Sequence, residues 1–465
     1  MFIFRREKKY ARENFNEVFH TTLNPEGPGV IRIHMIPPAC DSEAEKKAKR
    51  PGSSVAIING QDIIPVGISW TILLAEFIKS VNKYHDREIT QKDSEDIINE
   101  ACKGARKVYP FVSKKRMRND ISFIMETFRQ IAYREPVDAA IEYISIGDYA
   151  PYMTSPHRMD LMVSAMTKNG AWHCNQQCVH CYAAGQQQAE EAELSTAEWK
   201  RIIDLCKKAR IPQITFTGGE PTMRDDLVEL IDYSKWFVTR LNTNGIKLTE
   251  EVCAKLKAAS LDSLQITFYS SDEKIHNELV GASHYKETVA GIENAVKAGI
   301  SLSINTPLCT LNKNYKETLE FLHQKGVMYV TCSGLITTGN AAADKSASLR
   351  LSKDEIKAVL KEAVEYCHAN GMEISFTSPG WVENSFCEEL GITAPVCGAC
   401  LSNMAVTPGG NVVPCQSWLS GPVLGNMLKD EWPSIWNSQE CVKHRDFSAQ
   451  MNGTCPLKTG AQNEN

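Results

Sequence analysis

From about residue 160 to residue 380, short apolar runs alternate with amphipathic helical patterns. The repeat, roughly 25 to 40 residues, predicts βα units and a parallel sheet. Leu161 to Met166, Gln213 to Phe216, Phe237 to Leu241, Leu264 to Phe268, Leu302 to Asn305 and Met328 to Cys332 read as strands. Between the first two, Ser195 and Glu198 form a capping box, Leu194 can staple onto Trp199, and Trp199, Ile202, Ile203 and Cys206 share one face. A second helix runs from about Tyr285 to Ala298 and stops at Gly299. Six such units predict an α/β fold built as an open or partial barrel, with its chemistry on the loops at the C-terminal ends of the strands.

The 465 residues leave room for about three domains, and the pattern divides them at 1–150, 151–380 and 381–465. In the first stretch, Val30 to Ile36 alternates as a half-buried strand. Asn59-Gly60 then sits between two β-branched runs, where it can supply the positive φ angles of a two-residue type I′ turn. Three helical faces follow: Ile72, Leu73, Phe77 and Ile78; Ile97, Ile98 and Cys102; Ile121, Ile124, Met125, Phe128 and Ile131. Three strands and three helices predict a small α+β domain without a catalytic motif. Its basic run, Ser113 to Arg118, reads as a solvated helix start.

Lys and Arg number 51 against 56 Asp and Glu, a net charge of -5 that argues against a broad nucleic-acid surface. The most apolar window, Ile68 to Ile78, contains Ser69 and Glu76 and falls short of the ~20 residues a membrane span needs. The first residues, MFIFRREKKY, lack the apolar core of a secretory signal. A cytoplasmic chain, with no nucleic-acid or membrane partner, is the expectation. Sixteen cysteines in that reducing compartment point to metal binding rather than disulfides. Seven of them, Cys40, Cys102, Cys206, Cys253, Cys309, Cys332 and Cys367, stand singly and read as small buried hydrophobes. The remaining nine fall into two groups.

The first group is Cys174, Cys178 and Cys181, in AWHCNQQCVHCY directly after a predicted strand. Three thiolates on one short loop can hold three corners of an iron–sulfur cube and leave the fourth iron open. A zinc knuckle completed by His173 or His180 is the plainer alternative. Gly218-Gly219-Glu220-Pro221 begins 37 residues after Cys181, at the end of the second strand. Two glycines there permit close backbone approach, and Glu220 suits an ammonium. The C-x3-C-x2-C spacing, with a ring at His180, together with this GGEP run, resembles the radical S-adenosylmethionine (SAM) superfamily over roughly residues 160 to 330.

The resemblance implies a [4Fe-4S] cluster on the three cysteines and SAM bound by the Gly218–Pro221 run. His180, Tyr182, Asn242 of the Asn242-Thr243-Asn244-Gly245 segment, Thr267 and Asn305 are then further cofactor contacts. Many relatives carry Asp-Gly after the fourth strand; this chain has Tyr269-Ser270. The implied chemistry is one-electron cleavage of SAM to a 5′-deoxyadenosyl radical that abstracts hydrogen from an unactivated carbon, with flavodoxin or ferredoxin as electron donor.

The second group is Cys387, Cys397, Cys400, Cys415, Cys441 and Cys455. Its C-x2-C-x9-G-x4-C core, Cys397 through Gly410 to Cys415, resembles the opening of the SPASM/twitch extension, which binds auxiliary clusters. Pro408-Gly409-Gly410 predicts a hairpin that returns Cys415 to Cys397 and Cys400. Cys455 is the preferred fourth ligand, with Cys387 and Cys441 as alternatives. The full SPASM pattern does not follow Cys455, so one auxiliary [4Fe-4S] cluster is expected, with a zinc site as the alternative.

By the order of its elements, the N-terminal domain resembles the winged, PqqD-like module that binds the leader of a ribosomally made precursor peptide. These resemblances together imply a maturase of such peptides. Thioether cross-linking of a cysteine sulfur to carbon, as in sactipeptides and ranthipeptides, is the expected reaction. Epimerisation or carbon–carbon cross-linking, sulfatase maturation or haem modification, and a zinc-stabilised binding protein are the alternatives.

Overall fold

The computed structural model describes residues 2–23, 30–38, 48, 51–60, 62–84, 89–133, 135–137, 145–450 and 453–459. They divide into two units, Met1–Met153 and Thr154–Asn465. Cys40 and Gln61 lie outside the described residues. No helix among the described residues is long and apolar enough to cross a membrane.

The first unit is an antiparallel sheet in the order β1 (Phe19–Leu23), β2 (Ile31–Ile36), β3 (Ser54–Ile58), β4 (Asp62–Val66). Helices Phe2–Asn14, Ile68–Val81, Gln91–Ala105 and Lys114–Ala132 accompany it. Phe15, Ile33, Met35, Ile58, Ile72 and Ile121 share its buried core. All three expected helical faces form. Ser113 caps the last helix by accepting from the Arg116 amide at 3.2 Å, so the basic run is a helix start. Two elements were not foreseen: the helix Phe2–Asn14, whose apolar residues are diluted by seven charges, and β1, where only Phe19 and Thr21 face inward. The hairpin also differs from expectation. Asn59 and Gly60 have φ of 49° and 72°, yet Ile58 pairs with Asp62, leaving three loop positions rather than two.

The second unit begins with β5 (Arg158–Ser164), followed by the small pair β6 (Thr167–Lys168) and β7 (Ala171–Trp172). Parallel strands β8 (Gln213–Gly218), β9 (Val238–Thr243), β10 (Ser263–Thr267), β11 (Ser301–Pro307), β12 (Tyr329–Ser333) and β13 (Glu373–Phe376) follow. The chain ends with β14 (Asn403–Val406), β15 (Asn411–Val413) and β16 (Gly425–Asn426). The large sheet runs β13-β12-β11-β10-β9-β8-β5-β14-β15-β16. All six expected strands are present, and the sheet extends past them on both sides. β13 is a four-residue run too short to stand out. β14 pairs in parallel with β5, so the cysteine-rich tail continues the barrel sheet.

One face of the sheet is apolar. Leu241, Leu264, Ile266, Leu302, Ile304 and Val330 are buried there, and the Ser195–Glu198 capping box starts the helix Thr196–Lys208 that carries fully buried Trp199. The alternate positions are polar: Asp160, Thr215, Arg240, Asn242, Gln265, Thr267, Ser303, Asn305 and Thr331. Arg240 Nη2 reaches Ser303 Oγ at 3.2 Å and Gln265 Nε2 reaches Thr331 Oγ1 at 3.2 Å. Each contact skips a strand, so the polar face is the concave one.

At the entry to β5, burial pushes His157 from 6.5 down to about 4. The folded chain therefore holds a neutral imidazole while the unfolded chain takes up a proton as pH drops below 6.5. Stability is complete above that value and is lost as pH falls through about 4, by about 3 kcal/mol for this group. Denaturant titrations across the window should show His157→Leu with a flatter pH dependence than the parent.

Candidate functional site

The cysteine triplet lies on the loop after β7, and the sheet and its neighbours fix that loop at its backbone. Gln177 and Val179 amides donate to Val280 and Leu279 carbonyls, both at 3.0 Å, at the end of the helix Glu273–Val280. From the loop after β12, the Asn340 amide donates to Cys181 O at 2.8 Å and Asn340 Nδ2 to Cys178 O at 3.1 Å. Ser346 Oγ donates to Val179 O and Thr338 Oγ1 to Tyr182 O. Gly339, with φ 55°, leaves no room for a side chain: a Cβ would stand 2.5 Å from both Cys181 O and Tyr182 O.

The GGEP run ends β8 beside this loop. A Cβ on Gly218 would meet Ser164 O at 2.3 Å, and one on Gly219 would meet Ala165 O at 2.8 Å. The close approach that demands glycine is therefore made first by the neighbouring strand. Cys174 Sγ lies 3.5 Å from Gly219 O. Glu220 is buried. Its Oε1 accepts from the Thr222 amide (3.0 Å), Thr222 Oγ1 (2.6 Å) and Thr243 Oγ1 (2.6 Å), and its Oε2 from the Asn244 amide (2.8 Å). Burial raises the pKa of this carboxyl and those four bonds oppose the rise. Pro221 is buried next to it. Asn244 Nδ2 donates to Asn175 Oδ1 at 2.6 Å, joining the strand ends to the cysteine loop.

Burial raises all three thiols, Cys174 to about 12, and each of Cys174 and Cys178 is raised further by its cysteine neighbours. Three converging thiols with no cation of their own suit a group whose iron stabilises thiolate. His180 is buried, with both ring nitrogens lacking a partner; burial holds its pKa at about 4, so it is neutral. Its ring meets Tyr269 edge-on at 5.0 Å, and Tyr269 also bonds Cys178. Tyr269, at the position where relatives carry Asp, is thus part of the wall around the triplet. Asn242 Oδ1 is buried without a partner, Thr267 ends β10 on the concave face, and Asn305 Oδ1 accepts from Thr331 Oγ1 at 2.9 Å. An unsatisfied acceptor, two unsatisfied ring nitrogens and three thiols at one end of the sheet fit a cluster with a polar small molecule beside it.

The second cysteine group also converges. The turn at Pro408–Gly410 forms, with Gly410 donating to Thr407 O at 2.9 Å, and Cys400 N lies 3.2 Å from Pro414 O beside Cys415. Burial lifts Cys415 to about 12, and Cys455 and Cys397 lie close enough to add to that rise. Cys441 bonds Cys400, which lowers the Cys441 thiol, as does Arg445 with Nη1 3.6 Å from the sulfur. Both Cys455 and Cys441 thus reach the group. Cys387 does not join them: it lies beside Cys332, whose pKa it raises. Cys102, Cys206, Cys253, Cys309, Cys332 and Cys367 are free and buried. Tyr182 is near Cys181, Asp160 and Cys415, and so spans the two groups. Glu191, which carried no sequence signal, accepts from Thr407 Oγ1, the Gly409 amide and Asn411 Nδ2, clamping the turn.

Residues 173–324 match the Radical SAM superfamily and residues 397–457 match SPASM, an iron-sulfur cluster-binding domain. The chain is thus an enzyme with a radical SAM α/β fold and a C-terminal SPASM domain, using [4Fe-4S] clusters and S-adenosylmethionine. It is similar to the AdoMet-dependent heme synthase of Oleidesulfovibrio alaskensis, 27% identical over 300 residues, 61% of this chain and 76% of that protein. It is also similar to the mycofactocin maturase MftC of Mycolicibacterium smegmatis, 26% identical over 321 residues, 66% of this chain and 76% of that protein. Streptococcus suis SuiB, solved bound to precursor peptide SuiA, shares the fold with a TM-score of 0.58 and 13% identity over 88% of this chain and 94% of that one.

Gly339→Ala tests the loop contacts. Its methyl group must push the Cys181 and Tyr182 carbonyls away or force a strained φ, which costs about 1–3 kcal/mol. Anaerobic reconstitution should give the variant less iron per chain than the parent, with the deficit at the triplet and the second group still loaded.

Proposed function

We propose that this enzyme matures a ribosomally made precursor peptide, with thioether formation between a cysteine sulfur and a carbon as the favoured reaction. The observation that carries the reading is the N-terminal unit: an antiparallel sheet with its own core, β1 and β4 outermost among the described residues. An outer strand offers unpaired amides and carbonyls to an extended peptide, which then adds as a further strand. We read residues 1–150 as a PqqD-like leader-binding domain, 151–380 as the partial barrel and 381–465 as the SPASM module. Tethering the leader raises the local concentration of the segment to be modified. Similarity to a mycofactocin maturase, and a fold shared with a maturase solved with its precursor peptide, support the same reading.

Cys174, Cys178 and Cys181 are the residues for the SAM-binding cluster, and Cys397, Cys400 and Cys415 with Cys455 or Cys441 those for the auxiliary one. Bound there, cluster and SAM supply reductive cleavage and hydrogen abstraction. The chain's own part is placement. Glu220, through its less occupied Oε2, and the Gly218–Pro221 backbone receive the methionine end of SAM; Asn242, Thr267 and Asn305 line its far side, and neutral His180 with Tyr269 and Tyr182 screens the triplet from water. Electrons come from a flavodoxin or ferredoxin in the cytoplasm. A second reading, modification of a haem-type small molecule, is favoured by the heme synthase relatives.

Co-expression with a cysteine-rich precursor encoded nearby, followed by mass spectrometry, separates these readings. Cross-linking removes two hydrogens per bond, whereas epimerisation leaves the mass unchanged and takes deuterium from heavy water. Cys174→Ala should abolish SAM cleavage; Cys415→Ala should leave cleavage and stop peptide turnover. An unmodified precursor from an enzyme that still cleaves SAM would defeat the peptide reading.

A further inference from the structure

Beneath the two cysteine groups, the concave face of the sheet carries three charged residues whose pairing is incomplete. Arg158 and Asp160, two apart on β5, form a bidentate pair: Nε to Oδ1 at 2.8 Å and Nη2 to Oδ2 at 3.3 Å. Asp160 is 1% exposed, so that pair is the carboxylate's principal partnership. Arg240, on β9, points into the same concavity. Its Nη2 donates to Ser303 Oγ at 3.2 Å, while its Nε is buried with no partner. No carboxylate lies within ion-pair distance of it among the described residues. The floor thus holds two guanidinium groups and one carboxylate, a net charge of plus one, with Asp160 buried and the Arg158 side chain 34% exposed.

Asp160 attracts Arg240 but makes its bidentate contact with Arg158, and a guanidinium inside the sheet without a direct ion-pair contact is costly. Burial first, and then the like charge of Arg158, pull the Arg240 pKa down to about 10, against an opposing attraction from Asp160. Its neighbours on the concave face are uncharged hydrogen-bonding groups, Thr215, Asn242, Gln265 and Ser303, and Asn242 Oδ1 and Thr215 Oγ1 are themselves unpaired. Asp160 acts electrostatically on Tyr182 and on Cys415, so the charged floor lies under the residues that bound both cluster sites. A planar guanidinium with a free edge is the side chain best matched to a carboxylate.

We propose that Arg240 is a substrate-binding residue that receives a carboxylate of the substrate on the floor of the barrel. This deepens the function proposed above and rests on the concave face being the substrate site. The carboxylate has two sources, an acidic side chain of a peptide or the propionate of a haem-type molecule, and their shared chemistry is what Arg240 selects.

The test uses the full chain carrying its clusters and SAM, under anaerobic conditions, with two pairs of probes that differ only in charge. One pair is haem and its dimethyl ester; the other is a short, end-blocked peptide with one glutamate and its glutamine counterpart. Binding is read by tryptophan fluorescence quenching. At least one acid probe should bind the parent about tenfold more tightly than its neutral partner. Arg240→Gln should bring that preference to about twofold or less, and Arg240→Lys, which keeps the charge without the planar fork, should retain part of it. The pair that shows the preference identifies the source of the carboxylate. A parent enzyme indifferent to charge in both pairs would overturn the proposal, as would an Arg240→Gln protein that keeps the full preference. Should Arg240→Gln fail to hold iron, the parent and Arg240→Lys ratios decide, because full discrimination by Lys removes the role assigned to the guanidinium. A precursor that stays unmodified while the charge preference persists counts against the peptide reading alone.

Discussion

The active end of this enzyme is organised around one buried carboxylate. Glu220 would be costly to bury bare, and its four donors come from the ends of two adjacent strands: Thr222 after β8, Thr243 and Asn244 at β9. The same bonds set Asn244, whose side chain holds Asn175 one residue from Cys174. The first cysteine is therefore placed through the carboxylate. A carboxylate offers about four lone-pair sites; Oε1 is crowded by three donors while Oε2 takes one, and so a single ammonium proton has somewhere to go. The structural bonds are thus concentrated on one oxygen, and the ligand-binding role proposed above falls to the other.

The two cysteine groups belong to a single unit of the fold. β14 of the SPASM region pairs with β5 of the radical SAM region, and Glu191 reaches from the segment after the triplet to clamp the turn between β14 and β15. The loop after β12 makes the connection a second time. Thr338, Asn340 and Ser346 hold the triplet loop, and next to them Thr337 Oγ1 donates to Leu457 O at 3.4 Å, two residues beyond Cys455. That loop thus touches the surroundings of both sites, although the two cysteine groups lie more than 200 residues apart in sequence.

What could be read from sequence was what repeats or what chemistry dictates. The six βα units announced themselves because each strand alternates and each helix has an apolar face. Cys174, Cys178, Cys181, Glu220 and the Pro408–Gly410 turn were legible because their spacing is local. Contacts between distant segments were not: Asn340, Ser346 and Glu191 act through single hydrogen bonds to backbone or turn atoms and leave no pattern. Tyr269 was noticed only as a departure from relatives, and its contact with His180 and Cys178 gives that departure a physical sense. The N-terminal helix and β1 escaped because charged residues and threonines blur their periodicity. The choice among Cys387, Cys441 and Cys455 could not be made from spacing, because all three follow Cys415 or precede Cys397 at distances a folded tail can close.

A parallel sheet covered by helices on both faces usually reads as unbroken apolar runs, and a filled barrel packs its interior with branched side chains in layers. Here only the helix-facing residues obey that rule. The inner positions of β5, β8, β9, β10, β11 and β12 are almost all hydrogen-bonding, and several of their atoms are unpaired. Much of the cohesion in this unit comes from one face, through Leu241, Leu264, Ile266, Ile304 and fully buried Trp199, while on the other face Met162, Ala405 and Val413 form an apolar cluster at the β5, β14 and β15 side. That division explains why the strands alternate so cleanly. It also explains how the sheet can hold an arginine without a direct ion-pair contact, an unpaired asparagine and an array of hydroxyls on its inner face: the outer layer holds those groups in place.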